Sequence, residues 1–176
     1  MATKHLTLIR HAKASVNHRG GRGDFDRPLA ERGERDAKRM ATRLAAIGFA
    51  PDLLVSSAAE RALQTAHEIA GRIDDLAESI VTRDDMYLAS ARALLDIVRE
   101  TEAGVRHLVL VGHNPGLSDL WDWLVDERGG GLPTGGIARL ELSVGSWLDA
   151  SQGDAILLDF DHPRREPKPD RRRARQ

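Results

Sequence analysis

Short apolar runs alternate along this chain with segments whose apolar residues recur every three or four positions. Each cluster of chemistry-bearing residues falls directly after one of the runs. Runs of this kind are His5–Ile9, Leu53–Val55, 80–82 and His107–Val111, and their length and composition predict buried β-strands. Between them, Glu31–Ile47 carries Ala37, Met40, Ala41, Leu44 and Ala45 at helical spacing, with Gly48 as its stop. Ala59–Ile73, Ala91–Glu100 (Leu94, Leu95 and Val98 on one side) and Gly116–Asp126 are predicted helices as well, with Ser56 or Ser57 capping the first of these. Ala138–Ser143 and Ala155–Phe160 read as a closing pair of antiparallel strands. Strands separated by helices imply an α/β fold: a single three-layer domain, with a mostly parallel central sheet flanked by helices and one antiparallel terminal strand. No internal repeat interrupts the pattern.

Composition narrows the chemistry. The 176 residues include no cysteine, which excludes a disulfide framework, a thiolate zinc site, an iron–sulfur cluster and a cysteine nucleophile. No apolar run approaches the ~20 residues of a membrane-spanning helix. Met1–Ile9 is strand-like and lacks the apolar stretch of a secretion signal, so a cytoplasmic location away from membranes is expected. The net charge of −1 hides an asymmetry, because 163–176 carries seven basic and two acidic residues. Residues 1–162 are therefore expected to form the domain, and 163–176 a basic, disordered tail. An acidic body argues against nucleic acid as the main ligand. The three tryptophans are too few for a base-stacking platform and are expected in the core or at its rim.

In open α/β sheets, ligands bind beyond the carboxyl ends of the strands. Three clusters meet that condition: Arg10-His11 after the first strand, Ser56–Arg61 after the second, and Gly112–Gly116, with His113, after the fourth. Two arginines and two histidines at one edge suit a phosphoryl group, since guanidinium pairs with its oxygens in a bidentate fork. A neutral imidazole among cations, held by a backbone carbonyl, is a nucleophile for phosphorus. Lys13 is placed to touch substrate or to sit in solvent, and Asn114 to hold substrate or to cap the following helix, the cap being favoured. Gly20, Gly21 and Gly23 form no P-loop and read as a flexible rim. His5, His18, His67, His107 and His162 have no consistent partner spacing and read as surface or packing residues.

These blocks together resemble the histidine phosphatase superfamily, also called phosphoglycerate-mutase-like. Leu8-Ile9-Arg10-His11-Ala12 resembles its Arg-His-Gly signature, and Arg27-Pro28-Leu29 with Gly33 its RPL-x-x-x-G segment. The run from Ser56 through Arg61 to Gln64-Thr65-Ala66 is similar to its SSP-x-x-RA-x-QTA block. Val111–Leu117 and Pro133–Ala138 resemble the small bacterial branch typified by SixA, the phosphohistidine phosphatases. The resemblance spans Leu6 to about Pro163. It implies that His11 is the nucleophile, that Arg10 and Arg61 clamp the phosphoryl oxygens, and that His113 donates a further hydrogen bond while orienting His11. It also implies that Thr134 and Gly135 close a turn near the site, and that neither metal nor cofactor is required.

Ala12 and Ala58 depart from the usual glycine and proline. More consequentially, no glutamate lies between Thr82 and Arg99 to act as general acid, and Asp84 and Asp85 are the only carboxylates near that place before Asp96. A phosphohistidine leaving group relaxes the need for an acid, because imidazole can be protonated from solvent near its pKa of about 6.5. Short links between motifs leave the site open, which suits a phosphorylated side chain on a partner protein better than an enclosed metabolite. The expected function is therefore phosphohistidine dephosphorylation on a partner. The alternatives are a broad small-molecule phosphoester hydrolase and a non-catalytic phosphate-binding module.

Overall fold

In the computed structural model the described residues are 3–16, 23–73, 76 and 80–166. His18, Gly20 and Gly21, and most of the expected tail (167–176), lie outside them. Six strands, β1 (Lys4–Arg10), β2 (Leu53–Ser57), β3 (Ile80–Arg83), β4 (His107–Gly112), β5 (Ile137–Leu142) and β6 (Ala155–Asp161), form one sheet in the order β3-β2-β4-β1-β5-β6. The first four in that order run parallel, β5 opposes β1, and β6 opposes β5 at the edge. The architecture is thus the α/β domain expected, with β5 as the reversed strand.

Strand alternation divides the sheet between two helix layers. Leu6 and Leu8 of β1, Leu108 and Leu110 of β4 and Val55 of β2 pack with Leu94, Leu95, Leu117 and Leu120 from α3 (Ala91–Arg99) and α4 (Gly116–Val125). The intervening Ile9, Val109, Val111 and Leu54 meet Met40, Leu44, Ala62, Ala66 and Ile69 from α1 (Glu31–Ala46) and α2 (Glu60–Ala70) on the other face. Each large aliphatic side chain fully buried in this way contributes roughly 1.5–3 kcal/mol. Trp121 and Trp147 are buried in the α3–α4 layer, as their sequence setting suggests. Gly48 stops α1 with φ +69, a backbone geometry that glycine adopts without a side-chain clash.

Two local expectations change. Ser56 and Ser57 belong to β2 and are fully buried, and α2 begins after Ala59 with no side-chain cap. Their hydroxyls are satisfied elsewhere: Ser56 Oγ donates to the Ser57 carbonyl at 3.0 Å, and Ser57 Oγ accepts the Ala59 N–H at 3.3 Å. Residues 163–166 also differ from a free tail. Arg39 Nη1 donates to the Pro163 carbonyl at 3.0 Å, and Arg43 donates to the Asp161 carboxylate and to the carbonyls of His162 and Arg165.

The register sets up the site. Arg10 pairs with Gly112 across β1 and β4, and Ser56 with Val111 across β2 and β4. The chain segments leaving β1, β2 and β4 therefore emerge side by side.

Candidate active site

Backbone contacts fix the start of the site. The His11 N–H donates to the Gly112 carbonyl and the Arg10 N–H to the Gly136 carbonyl, each at 3.0 Å. The Gly135 N–H is shared between the carbonyls of Arg10 and His11, both at 3.1 Å. Gly135 has φ +71, and a Cβ there would come within 2.9 Å of Pro163 Cγ, so this turn accepts little besides glycine. Ala12 N–H donates to Thr65 Oγ1 at 3.1 Å, and that hydroxyl donates to the Arg61 carbonyl at 2.7 Å. Thr65 thereby ties the loop after β1 to α2. Gln64 Oε1 adds a second tie by accepting the Leu29 N–H at 2.7 Å.

His11 is 8 % exposed. Its Nδ1 lies 2.7 Å from the Ala12 carbonyl oxygen. A carbonyl only accepts, so Nδ1 carries the proton and Nε2 is left with its lone pair. Arg61 Nε donates to that Nε2 at 3.3 Å. Burial, reinforced by the charges of Arg61, Arg10 and Arg27, pushes the His11 pKa down to about 4, against the raising effect of the Ala12 carbonyl. The imidazole is neutral at pH 7.

Arg61, in the first turn of α2, is 2 % exposed and spans the site. Beyond His11, its Nη1 donates to the Asp24 carbonyl at 2.5 Å, its Nη2 to Asp24 Oδ2 at 2.9 Å, and Nη2 also lies 3.4 Å from His113 Nδ1. His113 Nδ1 accepts in that arrangement, so its Nε2–H donates to Ser57 Oγ at 2.8 Å. The His113 pKa is pushed down to about 3, by burial first and then by His11 and Arg61. The His11 and His113 rings stand 5.1 Å apart between centroids. His113 is therefore positioned by Ser57 and Arg61, and the group that orients His11 is the Ala12 carbonyl.

Arg10 donates from Nη1 to the Leu132 carbonyl at 3.0 Å, while its buried Nε has no acceptor among the described residues. Burial lowers the pKa of its guanidinium from the ordinary value. Arg10, His11, Lys13, Asp24, Arg27, Arg61, His113, Asn114 and Thr134 line one open cavity of about 310 Å³. Among the described residues, four arginine and lysine side chains thus line this cavity with one carboxylate, which suits an anion.

Asn114 does not cap α4. Its Nδ2 donates to the Leu132 carbonyl and its Oδ1 accepts from Ser118 Oγ, both at 2.8 Å, and Pro115 occupies the N-cap position with no side-chain cap. Asp84 and Asp85 occupy a short 3-10 turn and do not line the cavity. The Asp85 carboxylate is held by Arg83 at 2.6 and 2.9 Å.

The carboxylate that does line the cavity, Asp24, comes from the polar loop before Arg27. It accepts from Tyr87 Oη at 2.7 Å, from Arg61 and, at 2.8 Å, from Arg27. The Tyr87 hydroxyl, then Arg61 and Arg27, hold its pKa below the usual carboxylate value. Asp24 and Tyr87 were not singled out from the sequence; Arg27 was read only as part of the RPL-like segment, and no functional role was read for Ser57 or Thr65. Ser57 and Thr65 stand inside the motif block that carries Arg61, which was the available signal.

Comparison with known proteins identifies the family and agrees with the fold. The family model of the histidine phosphatase superfamily (branch 1) matches residues 6–86. An uncharacterised protein of Mycobacterium tuberculosis is 35% identical over 167 residues, covering 89% of this chain and all of the relative. Among solved structures, one from Agrobacterium tumefaciens assigned as the phosphohistidine phosphatase SixA is 31% identical, with a TM-score of 0.75, over 91% of this chain and 98% of that one. A Nakamurella structure with the same assignment is 26% identical, with a TM-score of 0.78, over 94% of this chain and 99% of the other.

Proposed function

The chain belongs to the histidine phosphatase superfamily, in its SixA-like branch, and from that premise we propose that it removes the phosphoryl group from phosphohistidine on a partner protein, with His11 as nucleophile. The carrying observation is the His11 imidazole: Nδ1–H fixed on the Ala12 carbonyl, Nε2 unprotonated, and Arg61 and Arg10 beside it. In the proposed reaction Nε2 attacks phosphorus, the bond from phosphorus to the substrate imidazole breaks, and that imidazole takes its proton from solvent. Water then attacks the phosphorylated His11, releasing inorganic phosphate and restoring the free imidazole. The phosphoryl oxygens take over the Arg61 Nε–H that caps Nε2 at rest, and Arg10 and Arg61 spread the charge of the transition state.

The choice of phosphohistidine rests on leaving-group chemistry. Asp24, the carboxylate in the cavity lining, is held ionised by Tyr87 and two arginines, so it has no proton to give. An alkoxide departing from a simple phosphoester needs that proton, whereas an imidazole near its own pKa does not.

The test is phosphate release from a phosphohistidine-bearing protein by wild type, His11→Ala and Arg61→Gln. Release that disappears in His11→Ala and falls about 10²–10³-fold in Arg61→Gln supports the reading. Efficient turnover of alkyl phosphates with no release from phosphohistidine would overturn the substrate assignment.

A further inference from the structure

A second cavity, of about 210 Å³, adjoins the first and shares Arg10 and Thr134 with it. Its other polar lining residues are Arg32, Asp36, His162 and Arg164. Among the described residues the charge balance is positive: Asp36 pairs with Arg32 across 3.5 Å, and Arg164 makes no ion pair. Arg164 is exposed, and Arg32 keeps about half of its side chain accessible (55%), so both can reach an incoming group.

This wall is built rather than incidental. The segment that presents His162 and Arg164 is pinned to α1 by Arg39 at the Pro163 carbonyl (3.0 Å) and by Arg43 at Asp161 (3.0 and 3.2 Å), His162 (3.1 Å) and Arg165 (2.6 Å). Pro163 closes on Gly135 of the active-site turn. Arg10 lines both cavities, with its Nε buried and without an acceptor among the described residues. A guanidinium has five donors in a planar fork, enough to serve anions in both cavities.

We infer that this cavity is an anion subsite that binds a carboxylate of the substrate itself, namely an acidic side chain flanking the phosphorylated residue. The inference rests on the first cavity being the place of phosphoryl transfer. With the phosphoryl group against His11, an acidic neighbour reaches Arg32 and Arg164 across Arg10. Arg32 and Arg164 then set which phosphorylated segments are selected, and they take no part in the chemistry at His11.

The experiment compares two phosphohistidine peptides of equal length, one with Asp and Glu around the phosphorylated residue and one with Asn and Gln. Wild type is compared with Arg32→Gln/Arg164→Gln, and p-nitrophenyl phosphate serves as a substrate lacking the second anion. Wild type is expected to prefer the acidic peptide about tenfold in kcat/KM, mainly through KM, the scale of one charge-assisted hydrogen bond at a half-exposed site. The double variant should bring that ratio to about one and leave p-nitrophenyl phosphate turnover within about twofold. Absence of preference in wild type, or preference that survives in the variant, overturns the subsite. If neither peptide is hydrolysed but p-nitrophenyl phosphate is, the phosphohistidine reading fails. The subsite is then read from 3-phosphoglycerate against glycerol 3-phosphate, which differ in a carboxylate. An advantage for the carboxylated ester that depends on Arg32 and Arg164 upholds it, and no such advantage overturns it.

Discussion

Gly33 tests whether the site depends on close packing behind His11, the proposed nucleophile, as well as on the groups that line the cavity. It lies in the first turn of α1, and a Cβ there would stand 2.0 Å from the Lys13 carbonyl oxygen and 2.9 Å from its carbon. Ordinary contact begins at 3.4 Å, so alanine forces a backbone movement of about 1.4 Å. The atom that must give way cannot swing aside: the Lys13 carbonyl accepts the Ala30 N–H at 2.9 Å, and Lys13 is two residues from His11. Overpacking a fixed site costs about 1–3 kcal/mol, more when backbone moves, and in a domain of this size about 3 kcal/mol lowers Tm by roughly 6–12 °C. Displacing a reacting group by ~1 Å costs about 10²-fold in rate. Gly33→Ala is therefore expected to lower kcat about 100-fold and Tm by that amount. Gly104→Ala, where a Cβ would meet nothing within 4 Å, should leave both unchanged. Thermal melting and phosphate release on the two variants measure this. A Gly33→Ala protein with wild-type kcat and Tm would refute the argument that the helix start and the nucleophile loop are in rigid contact.

The His11 imidazole should titrate near 4, where its neutral form, and with it activity, is lost as pH falls; an NMR titration midpoint near 6.5 would contradict the burial argument. His107, half-buried beside Thr7 with its Nε2 2.9 Å from Oγ1, is also pushed down to about 4, chiefly by desolvation. Between pH 6.5 and about 4 the unfolded chain binds more protons at these histidines than the folded one, so stability falls with acid across that window. Urea midpoints at pH 7 and pH 5 should show the loss, and His107→Gln should reduce it. Thr65→Val removes the hydroxyl between Ala12 and Arg61 and strands a buried N–H, so it should cost about 1–3 kcal/mol in a denaturant titration and lower kcat as well. Asp24→Asn removes the anion that holds Arg61, so steady-state kinetics should show kcat falling about tenfold while inorganic phosphate inhibits at lower concentration.

What the sequence revealed follows from what is local. The strands at 5–9 and 107–111 were legible because both faces of each are covered, giving continuous apolar runs. Arg10, His11, Arg61 and His113 were legible as neighbours because each stands at or shortly after a strand end, and parallel register then brings those ends together. Ser56 and Ser57 misled because buried strand hydroxyls are invisible as such until their acceptors are known. Asp24 and Tyr87 meet only when two loops 63 residues apart fold over Arg61, and neither loop has a periodicity to announce it. Arg39 and Arg43 look like ordinary charges on the polar face of α1, and their work on the segment 161–165 appears only in three dimensions.

In the proposed reaction the guanidiniums of this site would act on His11 as well as on the anion. A histidine attacks phosphorus only when unprotonated, and the anion it attacks would itself favour protonation of a nearby imidazole. Burial holds His11 neutral first, and the charges of Arg61, Arg10 and Arg27 add to it, so the cations oppose the protonation that a bound phosphoryl group invites. Asp24 offsets only part of that charge, and its contact is with the guanidinium end of Arg61 that lies away from His11 Nε2. On the proposed mechanism, loss of Arg10 or Arg61 would for this reason not be a simple loss of binding. It removes a donor to the phosphoryl oxygens and at the same time lets the His11 pKa rise toward its ordinary value, so the activity deficit should deepen as pH falls toward that pKa.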